Sequence, residues 1–155
     1  MRNILAQLFI VATITALGAF AADNSLGTWK LNMEKSKFTP APGPVKSLTT
    51  TREASDGGVK ATSTGEQANG TPINASFTAK YDGTEYPVTG APYDTIAIKQ
   101  VNANTFTTTQ KMKDGKYLAT VRMVISKDGK TMTGTVKGTN AEGKAMNNVM
   151  VYDKQ

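Results

Sequence analysis

The chain has no cysteine, no histidine and a single tryptophan among its 155 residues. Each absence excludes something. Without Cys or His the usual zinc sites, a Ser-His-Asp triad, a Cys-His pair and a His-ligated haem cannot be built. No disulfide can staple the fold either, so packing and backbone hydrogen bonds must hold it. Carboxylate, Lys or Tyr chemistry remains open, although these residues mostly occupy turns and polar strand faces. The expectation is a protein that is not an enzyme and carries no cofactor or metal.

A membrane-spanning run is also missing. The N-terminus reads Met1-Arg2-Asn3, then an apolar stretch from Ile4 to Ala12, then Ala19-Phe20-Ala21. A charged start, an apolar stretch and a small-x-small site are the order of a secretory signal peptide, expected here over residues 1–21 with cleavage after Ala21. Gln7, Thr13, Thr15 and Gly18 interrupt the stretch, which falls short of the roughly 20 apolar residues needed to cross a bilayer. No Cys stands near the cleavage site to carry a lipid. Cleavage leaves residues 22–155, 134 residues and one domain's worth of chain, able to bury about two-thirds of its unfolded surface. A secreted or periplasmic monomer with no membrane span after cleavage is the expectation. The net charge of +6 becomes +5 when Arg2 leaves. The remaining lysines are scattered rather than clustered with aromatic residues, which argues against a nucleic-acid partner.

What the chain does have is punctuation. Four Asp-Gly pairs, at Asp56-Gly57, Asp82-Gly83, Asp114-Gly115 and Asp128-Gly129, separate runs of alternating apolar and polar residues. Tight hairpins need positive φ, which Gly adopts freely and Asp tolerates. Between the turns the period is two. Ile73, Ala75, Phe77, Ala79 and Tyr81 share one face, as do Tyr117, Ala119, Val121, Met123 and Ile125, and again Met132, Gly134, Val136 and Gly138. Gly27–Leu31 reads as a first strand. Further strands are expected near 45–54, 58–65, 84–88, 94–101, 105–112 and 144–153. Pro40, Pro42 and Pro44 bar a strand ladder between the first two strands, where one helical turn at most fits and Phe38 serves as an apolar plug in a lid or a barrel bottom.

About ten strands joined by short turns are the spacing of an all-β barrel or sandwich, and the absence of a long crossover favours an up-and-down antiparallel β-barrel over a Greek-key sandwich. Closure removes edges that would template aggregation in a chain rich in Thr and Val. Ala61, Ser63, Ala75, Ala79, Ala97, Gly134 and Gly138 are assigned to the inner face. Eight strands can just be filled by their own side chains, so about ten lined by small residues favour a cavity over a flattened barrel with touching walls.

Gly27-Thr28-Trp29-Lys30-Leu31 resembles the Gly-x-Trp opening of the calycin superfamily, which holds the lipocalins, the avidins and the intracellular fatty-acid-binding proteins. Val149-Met150-Val151-Tyr152-Asp153-Lys154 resembles the last strand of the fatty-acid-binding proteins, where an Arg-x-Tyr pair reaches a bound carboxylate. The chain also resembles a group of small exported bacterial proteins described as lipocalin-like. The resemblance implies a calycin-like barrel around a small ligand. Tyr152 matches the family's Tyr, but Met150 stands where its Arg would be. The helical lid is replaced by the Pro-rich segment, and a biotin cage of several Trp is ruled out by the lone Trp29, which is expected to plug the closed end.

The expected function is therefore binding of a small, largely apolar ligand inside the barrel. The alternative is a non-enzymatic interaction or inhibitor module that uses loops on a filled barrel. Candidate ligand-binding residues are Phe77, Ile96, Phe106, Tyr117, Met132 and Met150 as apolar wall, with Thr108, Gln110, Tyr152 and Arg52 as polar anchors. Arg52 shares parity with Leu48 and points in; Arg122 alternates with an apolar face and points out. The methionines suit an adaptable pocket and an irregular core equally well. Tyr86 and Tyr93 are expected to rim the mouth, and one of Asn147 and Asn148 to face a polar interior or a bulge.

Overall fold

A computed structural model of the chain describes residues 22–155, so the expected signal peptide lies outside the described residues. Those residues form ten strands: β1 (Gly27–Leu31), β2 (Val45–Ser55), β3 (Gly58–Gln67), β4 (Pro72–Lys80), β5 (Asp82–Thr89), β6 (Thr95–Asn102), β7 (Thr105–Lys111), β8 (Leu118–Ile125), β9 (Thr131–Thr139) and β10 (Ala145–Lys154). Each pairs antiparallel with its sequence neighbours, and β1 also pairs with β10, so the sheet closes on itself as an up-and-down barrel. Among the described residues there is no helix. The Pro-rich connection reads as turns and bends, with cis peptides before Pro40 and Pro42.

Strand alternation sets the two faces. Arg52 pairs with Ala61, Ala61 with Phe77 and Phe77 with Val88, which puts this ladder on the inside. Ile96 pairs with Gln110, Gln110 with Ala119 and Ala119 with Gly138, a second inward ladder at the other end of the barrel. Outward residues are mostly Thr, Ser and Lys, such as the run Thr28, Thr51, Thr62, Ser76 and Thr89. Threonine suits this role because its branched Cβ fits the pleat while its hydroxyl stays in water.

Two sequence expectations need correction. Asp82-Gly83 is not the turn between β4 and β5 but the start of β5 itself, where the register with β6 shifts and Gly83 has a φ of +76°. The Asp82 carboxylate accepts from Thr84 N at 2.8 Å, so local hydrogen bonding stabilises a bulge there rather than a hairpin. Ala97 faces outward, since its strand neighbours Ile96 and Ile98 are the ones buried.

One end is closed. Trp29 is completely buried, its indole N–H donates to Ser25 O at 2.7 Å, and the Lys154 ammonium lies 5.1 Å from the ring centroid. Residues 22–26 run across this floor and are tied to β6 by Gln100 Nε2 to Ala22 O at 2.9 Å and to the β6–β7 turn by Asn24 N to Ala103 O at 3.1 Å. Phe106, Ile98, Val59, Ile125 and Met132 fill the space above Trp29. At the other end the 32–44 connection forms part of the rim. After β1 the chain resumes pairing with β10 through Lys37 and Val149, and Phe38 packs so closely against Gly43 that a Cβ there would sit 2.5 Å from its ring. The rim role matches the lid of the two roles expected for this segment.

Glycine permits close approaches of backbone to backbone, as at Gly138. At Gly138, where φ is +153°, a Cβ would lie 1.9 Å from the Leu118 carbonyl oxygen on β8. Gly129, at φ +69° in the β8–β9 turn, has open space around it. Replacing Gly138 with Ala is expected to cost more than about 2 kcal/mol, because strain and a backbone clash combine. Replacing Gly129 with Ala should cost about 1 kcal/mol, the strain alone. Chemical denaturation of the two variants measures the difference.

Candidate functional site

All ten residues proposed from sequence have inward parity, but they divide between two environments. Ile96, Phe106 and Met132 belong to the packed core above Trp29, and Thr108 is buried. Phe77 and Tyr152 are half-buried at the edge of that core. Tyr117 anchors a second, smaller cluster with Ala119, Val121 and Val136, against which Met112, Met146 and Met150 pack. The interior is thus filled in its lower half and along β8 and β9 in its upper half. Opposite them, Leu48, Ser63, Ile73, Ala75 and Val88 face inward and yet remain half-buried. The side chains that β3 and β4 contribute there, Ser63 and Ala75, are small.

A polar chain crosses the upper interior. Gln110 Nε2 donates to the Tyr93 hydroxyl at 3.2 Å, and the Tyr117 hydroxyl donates to Gln110 Oε1 at 3.1 Å. The two phenol rings lie 5.4 Å apart and tilted by 31°. Tyr93 sits in the β5–β6 connection and reaches inward over the rim. Tyr152 is nearby on β10, and its hydroxyl has the Met150 sulfur at 3.9 Å. Burial raises all three phenols: Tyr117 is pushed up to about 12, and Tyr93 and Tyr152 also lie well above the ordinary value. At neutral pH each is therefore a neutral donor rather than a base.

Arg52 occupies the floor and is 6% exposed. Its Nε donates to Ser25 Oγ at 3.1 Å, Ser25 donates in turn to Asp23 Oδ1 at 2.5 Å, and the Tyr81 hydroxyl donates to the other Asp23 oxygen. The guanidinium carbon stands 6.0 Å from the centroid of the Phe106 ring. Arg52 Nη2 is buried and has no hydrogen-bond partner among the described residues. Burial, followed by the bond to Asp23, pushes Tyr81 up to about 12. Arg122 is exposed on the outer wall.

Three residues take places that periodicity did not assign. Asp23 and Ser25 precede the first strand, where no alternation exists to read. Asn148 is the inward member of its pair: its Oδ1 accepts from Thr39 N at 3.0 Å and pins the Pro-rich segment to the rim. Tyr86 packs at the edge of the lower core and donates to Asp82 Oδ2 at 2.8 Å, so of the two tyrosines expected at the mouth only Tyr93 is there. Two depressions, of about 280 Å³ beside Asn32 and Asp153 and about 330 Å³ beside Gly83 and Lys99, lie on the outside of the wall. Among the described residues no cluster of acidic side chains is arranged to hold a metal ion.

No protein-family model and no curated protein matches the chain. Its structure is similar to that of zebrafish ileal bile acid-binding protein complexed with cholic acid, with a TM-score of 0.50 and 15% identity, over 86% of this chain and 100% of that one. The fold is a closed ten-strand antiparallel barrel of the calycin-like kind. At this identity the likeness is one of fold alone, and it agrees with the Gly-x-Trp opening and the ten-strand meander.

The raised phenols make stability depend on alkaline pH. Below pH 10 the folded and unfolded chains both keep the Tyr117 proton. Between pH 10 and about 12 the unfolded chain loses it while the folded chain keeps it, so the contribution to stability is lost as pH rises. Denaturation midpoints should fall across that window, and phenolate absorbance of the folded protein should lag behind that of free tyrosine. Tyr117→Phe is expected to flatten the pH dependence.

Proposed function

We propose that this protein is an exported, non-catalytic calycin barrel that binds a small, largely apolar molecule in the upper half of its interior. One observation carries the reading: inward-facing Leu48, Ser63, Ile73, Ala75 and Val88 remain half-buried inside a closed ring of strands. An apolar occupant would take that surface out of water, at a gain of about 25 cal/mol per Å². Met112, Met146 and Met150 supply a wall that adapts to the occupant's shape. Phe77 and Tyr152 would lie beneath it, and Gln110 with its two tyrosines beside it.

The zebrafish protein of the same fold is complexed with cholic acid. That supports an apolar occupant of this barrel without specifying which. Export rests on residues 1–21, whose charged start, apolar stretch and Ala-Phe-Ala end fit a cleaved signal. The working place is then the periplasm or the medium outside the cell, and the working form a monomer.

An environment-sensitive apolar dye should gain fluorescence on mixing with the folded protein, and lipid-like competitors should displace it. Ala75→Trp, which fills the upper interior, is expected to weaken dye binding by about tenfold or more while the thermal midpoint changes little. Absence of any enhancement with folded protein would refute the proposal.

A further inference from the structure

Barrel closure sorts the charges of the outer wall. On β2 to β5 the exposed cations are answered: Lys60 pairs across the ladder with Glu53, Lys46 meets Glu66 at 2.8 Å and Lys80 meets Asp56 at 3.2 Å. On β6 to β9 no strand residue is acidic, and Lys99, Lys111, Arg122 and Lys137 are all exposed. The ladder sets Lys99 and Arg122 in one outward row, on either side of Thr107, and Lys137 in the next row beside Thr120. Lys111 is held by Glu85 at 2.7 Å, whereas Lys99, Arg122 and Lys137 form no ion pair among the described residues. Acids border this face without crossing it. Asp82, opposite Lys99, accepts from Thr84 N and the Tyr86 hydroxyl, and Asp94, Asp114, Asp128 and Glu142 stand in the connections at the barrel ends.

The same wall leaves apolar side chains in water. Of the four large apolar side chains exposed among the described residues, three are here: Val101 at 58%, Leu118 at 48% and Val124 at 37%. Val101 lies in the β6 bulge beside Thr105, and Val124 pairs with Thr105 from β8. Along β8 the outward positions read Leu118, Thr120, Arg122 and Val124, so apolar ends flank a hydroxyl and a cation over about 20 Å of one strand.

A soluble polyanion would engage the cations and leave Val101, Leu118 and Val124 in water. An anionic bilayer engages both, because its phosphates neutralise Lys and Arg while apolar side chains enter the acyl boundary. We propose that the outer wall of β6 to β9 docks on a membrane surface rich in anionic phospholipid, with Lys99, Arg122 and Lys137 on the head groups and Leu118 and Val124 reaching below them. This docking needs no occupant inside the barrel, so dye binding and membrane binding can fail separately.

The test is co-sedimentation of the protein with vesicles of phosphatidylcholine alone or with about one-third phosphatidylglycerol. Binding to the mixed vesicles is expected to be tighter by about tenfold or more, and to weaken as salt is raised from about 0.1 M to about 0.5 M. Arg122→Gln with Lys137→Gln should weaken it by about tenfold, while the same loss of charge on the other wall, Lys46→Gln with Lys60→Gln, should change it by less than about twofold. Leu118→Asn with Val124→Thr keeps every charge and should weaken it by about threefold or more. Equal binding to the two kinds of vesicle overturns the proposal, and that comparison on the unaltered protein decides even where a variant fails to fold. Equal weakening by the two neutralised pairs overturns it as well, since net charge alone would then act. Indifference to the apolar pair would assign a general polyanion site and remove the membrane from the reading.

Discussion

The five residues of β1 hold the structure closed. They pair with β2 over Gly27 to Lys30 and with β10 over Trp29 to Leu31, and without them two ten- and eleven-residue strands would present open edges. The chain has no disulfide to take over that work. The same short strand carries Trp29, whose indole binds the Ser25 carbonyl and lies under Lys154. Closure of the ladder and sealing of the floor are thus one event, because a single buried side chain takes part in both.

From that floor upward the interior changes character. Large side chains meet around Phe106 and Ile98, with Ala61, Ala79 and Gly134 among the small inward residues between them. Higher up, the wall of β7 to β10 carries aromatic and thioether side chains while β3 and β4 carry Ser63 and Ala75. Such asymmetry leaves the side chains on one side of the upper barrel half-buried and those on the other packed. The polar groups follow the same division: the charged pair of Arg52 and Asp23 stays at the bottom, and uncharged phenols and an amide stand above. The surface ion pairs, such as Lys111 with Glu85 at 2.7 Å, are solvent-exposed and add little to stability.

Most of the barrel was legible because alternation in a half-buried strand writes the face of each residue directly into the sequence. Strands expected at 45–54, 58–65, 105–112 and 144–153 appear at Val45–Ser55, Gly58–Gln67, Thr105–Lys111 and Ala145–Lys154. Arg52 was assigned inward and Arg122 outward from parity alone, and both stand so. The misreadings occur where parity fails. Asp82-Gly83 has the composition of a hairpin turn but sits in a bulge, since turn chemistry and bulge chemistry both call for positive φ. Ala97 carries no hydrophobic weight to outvote its neighbours, and only the burial of Ile96 and Ile98 decides its direction. Tyr93 lies in a connection without a period, so its reach to Gln110 had no trace in the pattern. Asp23 and Ser25 were out of sight for the same reason, and their partners lie far along the chain.

That distance bears on how the molecule assembles. The segment across the floor is made before any of the strands, yet Asn24 bonds to Asn104, 80 residues later, and Ala22 accepts from Gln100, 78 residues later. Loops of this length are entropically slow to close, and antiparallel meanders dominated by local hairpins form their long-range contacts last. The guanidinium of Arg52 therefore remains hydrated until the N-terminal segment docks, and its desolvation coincides with completion of the ring. Early intermediates would be open, charged and soluble at the base, and only the finished cylinder would be dry there.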